Sequence, residues 1–177
     1  GMPLVFFFHG LLDGSMSNPA GYHVSSLGLQ SIADEAGVVF VLPQSPIMTM
    51  MGMSFYMWTV NEFEGDDITL YDDLRACASQ QLEINLDRVH ATGFSGGALF
   101  VTVVARDRGD TLASIVEMSG GSDLEIPLFS ELFSEYDTPA YDMPALLVSG
   151  GSADIWPDPS FTLVDFVAAT DKLQGQL

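Results

Sequence analysis

The stretch "LDRVHATGFSGGALF", residues 86–100, decides the fold, because it joins an apolar run to a helical pattern through one serine set among glycines. The run at 88–94 is almost continuously apolar, which is typical of a strand covered on both faces. After the glycines, apolar or small residues recur at the i, i+3, i+4, i+7 spacing of an amphipathic helix: Ala98, Val101, Thr102 and Ala105. The sequence therefore predicts a strand, a sharp turn at Ser95 and a helix.

The same alternation extends in both directions along the chain. Further short apolar runs lie at 4–8, 38–42, 113–118 and 145–150. Helical patterns separate or follow them: Leu29, Ile32, Ala33 and Ala36; Leu70, Leu74, Cys77, Ala78 and Leu82; and Leu163, Phe166 and Val167. Strands alternating with helices predict right-handed crossovers and one α/β domain over residues 1–177, with a mainly parallel sheet. The stretches 43–66 and 119–142 resist assignment, and both follow strand ends, where open sheets place their sites.

The charge of the chain limits its partners. Its 177 residues include 24 acidic and five basic residues, for a net charge of −19 at pH 7. Such a surface repels phosphate backbones and anionic lipids, so we expect no nucleic acid partner. No uninterrupted apolar window reaches the length of a membrane span, so we expect no membrane partner. Because salt screens self-repulsion, the charge predicts adaptation to saline surroundings.

Cys77 is the single cysteine of the chain. It therefore has no partner for an internal disulfide, a redox pair or a zinc knuckle, and we predict a small buried core residue. We expect no metal site.

The chemistry predicted at residue 95 follows from the glycines around it. Gly93, Ser95 and Gly97 form a G-x-S-x-G pattern, in which small neighbours let a serine stand on a strained strand-to-helix turn. The helix that follows directs its free amides and positive dipole end at the same point, so the Gly96 amide is a candidate oxyanion donor. The alternative is that Ser95 only caps the helix.

The order of the motifs resembles that of the α/β-hydrolases, and among them the esterases similar to polyhydroxybutyrate depolymerases and feruloyl esterases. The resemblance covers nearly all of residues 3–170. It rests on "HGLLDG", "IADEAGVVFVLPQ", Trp58 followed by "DDITLYDDL", "LDRVHATGFSGGALF" and "GGSADIWP". It implies a three-layer α/β-hydrolase fold that lacks its first strands and its last strand, ester hydrolysis without metal or organic cofactor, and an extracellular location.

The resemblance also implies site residues. Ser95 is the nucleophile, the backbone amides of Leu11 and Gly96 form the oxyanion hole, and Asp154 in "VSGGSADIWP" orients the base. Asp158 is the alternative acid. Gly96 departs from the pattern of the family, in which a larger residue, often Asn, follows the serine.

The histidine that should activate the serine is not evident among the three that the chain contains, His9, His23 and His90. We expect His9 to shape the loop after the first strand and His90 to be a core residue, which leaves His23 as a weak replacement base. In the family the base follows a strand beyond the acid. We therefore expect these residues to be the central piece of a longer hydrolase, with its base outside this chain.

A methionine-rich stretch, "PIMTMMGMSFYMWTV" at 46–60, holds five methionines and three aromatic residues. Thioethers and rings make an adaptable apolar wall, although ordinary core packing is the equal alternative and Cu(I) binding lacks Cys or His partners. The residues predicted to line a substrate pocket are Met51, Met53, Trp58 and Trp156. The predicted function is a serine carboxylesterase acting on small short-chain or aromatic esters, and the alternative is a non-catalytic protein that binds a small apolar ligand or a partner.

Overall fold

The computed structural model describes residues 1–50, 52–60, 65–122, 143–158 and 161–176. The strands are β1 (Met2–Phe8), β2 (Leu12–Asp13), β3 (Val39–Val41), β4 (Ile47–Met50), β5 (Met53–Tyr56), β6 (Ile84–Phe94), β7 (Ser114–Met118), β8 (Ala145–Val148), β9 (Ile155–Asp158) and β10 (Phe161–Asp165). The helices are α1 (Pro19–Ser26), α2 (Leu29–Ala36), α3 (Asp66–Gln81), α4 (Gly96–Arg108) and α5 (Phe166–Gln176).

The five apolar runs form one parallel sheet in the order β3-β1-β6-β7-β8. This confirms the predicted parallel architecture, because every one of these strands is joined to the next by a crossover that contains a helix or a long connection. β6 is central, paired with β1 on one side and β7 on the other. The carboxyl ends of all five strands therefore meet at one edge of the sheet.

The helix α4 lies in the middle of the core, and its nine residues from position 97 to 105 are all buried. The predicted stripe on this helix is therefore confirmed, and the helix is covered on all sides. Its core neighbours include Leu4, Phe6 and Phe8 of β1, which are 0–1% exposed. Within the parts of the chain that the structure describes, no helix is long and apolar enough to cross a bilayer.

The stretch 43–66, which the sequence left unassigned, contains the hairpin β4–β5, which pairs with β2 through β5. Two sequence predictions of local structure are wrong. Leu163 belongs to β10, antiparallel to β9, so the last helix begins later, at Phe166. Cys77 is exposed rather than buried, because α3 turns Ile68 and Tyr71 toward the core and Cys77 toward the opposite side.

Candidate active site

Ser95 stands at the junction of β6 and α4 with an unusual backbone. Its φ of 53° and ψ of −122° lie where residues with a side chain are rarely found. Its N–H donates to the Met118 carbonyl oxygen (2.9 Å), and its own carbonyl oxygen accepts from the amides of Ala98 and Leu99. The side chain makes no capping hydrogen bond to α4, so capping the helix is not its role in this structure.

Two glycines of the turn have no room for a side chain. A Cβ atom on Gly97 would lie 2.1 Å from the Phe8 carbonyl oxygen and 2.5 Å from that of His9. A Cβ atom on Gly93 would lie 2.4 Å from the carbonyl carbon of Gly97. The helix can start this close to β1 and β6 only because both residues are glycine.

The loop after β1 lies against the nucleophile turn. A Cβ atom on Gly10 would lie 3.3 Å from the Ser95 Cβ, and one on Gly96 would lie 3.6 Å from the Leu11 nitrogen. Within the described chain, the N–H groups of Leu11 and Gly96 donate to no other residue. Two free amides beside a serine, one of them at the positive end of a helix dipole, can hold a negatively charged oxygen.

His9 fixes the shape of this loop from inside the protein. It is 2% exposed; its Nδ1–H donates to the Gly10 carbonyl oxygen (2.6 Å), and its Nε2 accepts from the Ser45 N–H (3.1 Å). A carbonyl only accepts and an amide only donates, so the tautomer is settled and both ring nitrogens are occupied. Burial lowers the pKa of His9, as does the nearby His23 imidazole, against the opposite effect of the Gly10 hydrogen bond. His9 is thus a neutral structural residue.

Trp58 occupies a different place from the one predicted. It is 2% exposed, its ring stacks on Phe100 at 5.0 Å, and its Nε1–H donates to the His9 carbonyl oxygen (2.8 Å). The prediction that Trp58 lines an open pocket is therefore wrong. A buried indole needs an acceptor, and here the acceptor is the loop that carries the Leu11 amide.

Neither of the other two histidines bonds to the serine. The Nδ1 of His90 is 2.8 Å from the Ser114 Oγ, so its ring has a hydrogen-bond partner, but His90 is half-buried rather than in the core, where it was predicted. His23 lies on α1, with its ring 6.3 Å from that of His9, and its buried Nε2 has no hydrogen-bond partner in the described chain. Burial lowers the pKa of both imidazoles, and Arg88 lowers that of His90 further.

Asp154 ends the short 3-10 helix that follows β8, at the same edge of the sheet as Ser95. It is 9% exposed, and its Oδ2 accepts the Gly150 N–H, which anchors the carboxylate to the start of its own turn. The second oxygen leaves acceptor capacity for another donor. The alternative acid Asp158 and the predicted pocket residue Trp156 lie on β9, and their side chains are outside the described part of the structure, as is Met51.

Solved structures superpose on most of this chain. The native structure of pOPH matches with a TM-score of 0.65 at 17% identity, covering 93% of this chain and 64% of its own. The Bacillus cereus carboxylesterase matches with a TM-score of 0.59 at 15% identity, covering 98% of this chain and 72% of its own. Esterase PE8 matches with a TM-score of 0.53 at 22% identity, covering 84% and 68%. This chain has the α/β-hydrolase fold.

The solved structures that share the fold are only 15–22% identical to this chain. No protein-family model matches the sequence, and neither does any curated protein. The chain spans 64% of the length of pOPH. In the described part of the chain, no three or more His, Cys, Asp or Glu side chains are grouped so that they could hold a metal ion.

Two exposed apolar residues belong to the segments that form the nucleophile turn and the loop beside it. Phe94 is 49% exposed and directly precedes Ser95, and Leu11 is 50% exposed and carries the candidate oxyanion amide. Met53 is 57% exposed at the tip of the hairpin β4–β5, whose sheet begins immediately after Leu11. The assignment of Met53 to a substrate pocket stays a prediction, and Phe94 was not predicted, although its position next to the nucleophile was the signal.

A buried acid behind the turn was also missed. Glu117 on β7 is 1% exposed, and its carboxyl group contacts Thr102 of α4 and the backbone of Gly121. The signal was available, because an acid interrupts a run, "ASIVEM", whose apolar neighbours predict burial on both faces.

Proposed function

We propose that this protein is a serine carboxylic-ester hydrolase that works through an acyl-enzyme formed on Ser95. The observation that carries the proposal is the backbone of Ser95, with its φ of 53° and its uncapped side chain at a strand-to-helix turn. Such strain persists where the surrounding structure holds it, and it frees the hydroxyl from the helix for other chemistry.

The residues have distinct roles in the proposed reaction. The Ser95 Oγ attacks the ester carbonyl carbon and gives its proton to an imidazole, while the amides of Leu11 and Gly96 hold the oxyanion. The imidazole then protonates the departing alcohol, and water hydrolyses the acyl-enzyme by the same steps in reverse. Asp154 orients the imidazole. We propose that this histidine comes from outside these 177 residues, because both ring nitrogens of His9 are occupied and His90 bonds to Ser114. The third imidazole, that of His23, packs against the rings of Phe7 and His9 with its Nε2 buried, so we treat it as the alternative base only.

The proposed substrate is a small uncharged or weakly polar ester with a short-chain or aromatic acyl group. Phe94, which directly precedes the serine, and Leu11, which carries the oxyanion amide, have exposed apolar side chains, and these favour apolar groups near the reacting carbonyl. The net charge of −19 disfavours anionic esters at low salt.

The competing function is binding without catalysis. It is favoured by one observation: no imidazole among the three of this chain is hydrogen-bonded to Ser95. An apolar ligand or a partner would then occupy the surface around Phe94.

Labelling of the full-length protein with a fluorophosphonate separates the two functions, because only an activated serine reacts. We expect the wild type to label and to hydrolyse an aryl ester, and Ser95→Ala to do neither. Ser26→Ala is the matched control, since Ser26 is an exposed serine at the end of α1 and should label normally. Equal labelling of the Ser95→Ala protein would remove Ser95 from the mechanism, and no labelling of the wild type would favour the binding function.

A further inference from the structure

Glu117 is an ionisable group buried where the reaction does not need one. In the sheet it lies between Gly93 of β6 and Leu147 of β8, and it is 1% exposed. A charged carboxylate is costly at such a site unless several donors surround it. The groups that surround it are those of Thr102 and Gly121.

The hydrogen bonds around Glu117 close into a ring when its carboxyl group is neutral. The Thr102 Oγ1 is 2.9 Å from the Glu117 Oε1 and 3.0 Å from the Gly121 carbonyl oxygen, and the Gly121 N–H donates to the Oε2 (3.0 Å). Thr102 has one hydroxyl proton for these two acceptors and for the more distant Ala98 carbonyl oxygen, at 3.5 Å. If Glu117 donates to the Thr102 oxygen, Thr102 donates to the Gly121 carbonyl, and all three groups are satisfied.

A carboxylate would break this ring. Thr102 would then have to donate to Glu117, which leaves the buried Gly121 carbonyl without its donor.

The segment held by the ring supports the nucleophile turn. The Met118 carbonyl oxygen accepts the Ser95 N–H, and the next residue, Ser119, has a φ of 54°. In the described chain, Ser95 and Ser119 are the two residues other than glycine with positive φ. They follow neighbouring strands, so the two strained turns lie side by side.

Other contacts of this segment leave it little freedom. The Ser119 N–H donates to the Val148 carbonyl oxygen (2.7 Å), and the Thr170 hydroxyl donates to that of Gly120 (3.1 Å). A Cβ atom on Gly120 would lie 2.4 Å from the Ala98 Cβ, one turn into α4. A movement of residues 119–121 is therefore transmitted to the first turn of the helix that begins after Ser95.

We propose that Glu117 is a positioning residue for the nucleophile turn, in which its neutral carboxyl group, Thr102 and Gly121 form a ring that fixes the segment bonded to the Ser95 amide. The effect of the ring on the reactivity of Ser95 rests on the proposed function. The existence of the ring and the protonation of Glu117 do not depend on that function.

The proton on Glu117 gives the ring an upper pH limit. Burial raises the pKa of Glu117 to about 8, against the opposing hydrogen bonds of Thr102 and Gly121. The charged and titratable groups on the surrounding elements are Arg106 and Asp107, which pair with each other, and Arg108 of α4, Asp171 and Lys172 of α5, Asp87, Arg88 and His90 of β6, and Asp154 after β8. In the described chain none of them contributes to this pKa, so burial sets the limit.

The test compares the full-length wild type with Glu117→Gln, whose amide imitates the neutral acid by donating to Thr102 and accepting from Gly121. Below pH 8 we expect the two proteins to label with fluorophosphonate at rates within about threefold of each other. Above pH 8 the wild type should label at least about fivefold more slowly than the glutamine variant. A ratio that stays constant through pH 8 would overturn the proposal.

Thermal unfolding supplies a measurement that does not depend on labelling. We expect the melting temperature of Glu117→Gln to rise above that of the wild type as the pH increases from 4.5 toward 8. In that interval the side chain of residue 117 loses a proton on unfolding in the wild type, whereas a glutamine has no such proton to lose. A pH-independent difference, or a Glu117→Gln protein that fails to fold, would contradict the ring. If this difference appears but the wild type never labels, the proposed function fails and the ring stands.

A second pair of variants tests the ring without changing the acid. Thr102→Ser keeps the hydroxyl and should retain the labelling rate. Thr102→Val keeps the shape but cannot bridge Glu117 to Gly121, so its labelling should fall at every pH. Equal rates for the two variants would show that the bridge does not position the turn.

Discussion

The closeness of α4 to β1 at the nucleophile turn can be tested by adding one methyl group at either of two adjacent positions. Gly97→Ala would place its Cβ 2.1 Å from the Phe8 carbonyl oxygen, whereas Gly96→Ala would place its Cβ 3.6 Å from the Leu11 nitrogen. The second distance is an ordinary contact. The first requires a movement of about 1 Å, given that such carbon–oxygen contacts are normally longer than about 3 Å.

The energy of that movement follows from what holds the two carbonyl groups. Phe8 is 1% exposed in the central sheet, and the neighbouring carbonyl of His9 is fixed by the Trp58 indole. Overpacking a rigid core costs about 1–3 kcal/mol, and displacing the buried hydrogen bond of His9 adds about 1 kcal/mol. Alanine recovers at most about 1 kcal/mol of helix propensity. We therefore expect Gly97→Ala to lower the free energy of unfolding by about 1–4 kcal/mol.

Gly96→Ala is the matched control, since it adds the same methyl group to the same turn of the helix. Its free energy of unfolding should stay within about 1 kcal/mol of the wild type, because alanine is favoured in helices. Urea denaturation followed by circular dichroism measures both variants. If Gly97→Ala proves as stable as Gly96→Ala, then α4 does not lie against β1 as described.

Three further changes probe the site and the surface. Ser95→Gly should abolish labelling yet raise the free energy of unfolding by about 0.5–2 kcal/mol. Glycine relieves the backbone strain at φ 53°, although the greater flexibility of glycine in the unfolded chain offsets part of that gain. A lower melting temperature than that of the wild type would contradict the strain. Trp58→Phe should cost about 1–3 kcal/mol in urea denaturation and slow labelling, because the His9 carbonyl oxygen loses its buried donor; an unchanged labelling rate would separate Trp58 from the loop. Multimolar salt should raise the melting temperature, because it screens a net charge of −19; a flat or falling melting temperature would refute adaptation to salt.

The central sheet could be predicted because its signal is local. Strands covered on both faces need continuous apolar runs, and the runs at 88–94 and 113–118 became the adjacent strands β6 and β7. The turn at Ser95 was predicted for a similar reason. Only glycine fits where a helix starts against two strands, and the sequence shows those glycines directly.

Helix faces were predicted less well, because a periodic pattern does not say how wide the buried face of a helix is. On α3 Leu70, Leu74 and Ala78 of the predicted stripe pack against the core, whereas Cys77 is exposed. The Asp67 carboxylate is buried because it accepts the Thr59 N–H (2.7 Å). On α2 the predicted stripe is exposed at Ile32, which is 46% exposed, although Leu29 is buried.

The supports of the site could not be predicted from spacing, because each joins residues far apart in the chain. His9 meets Ser45 across 36 positions, and Trp58 meets His9 across 49. Glu117 differs, since the sequence did contain its signal. A strand covered on both faces offers an acid no water, so the acid must be paired, neutral or both. A glutamate inside such a run, close to glycines at the end of the strand, therefore predicts a neutral, protonated carboxyl group near a functional turn. In this structure that carboxyl group belongs to the ring that Glu117 forms with Thr102 and Gly121.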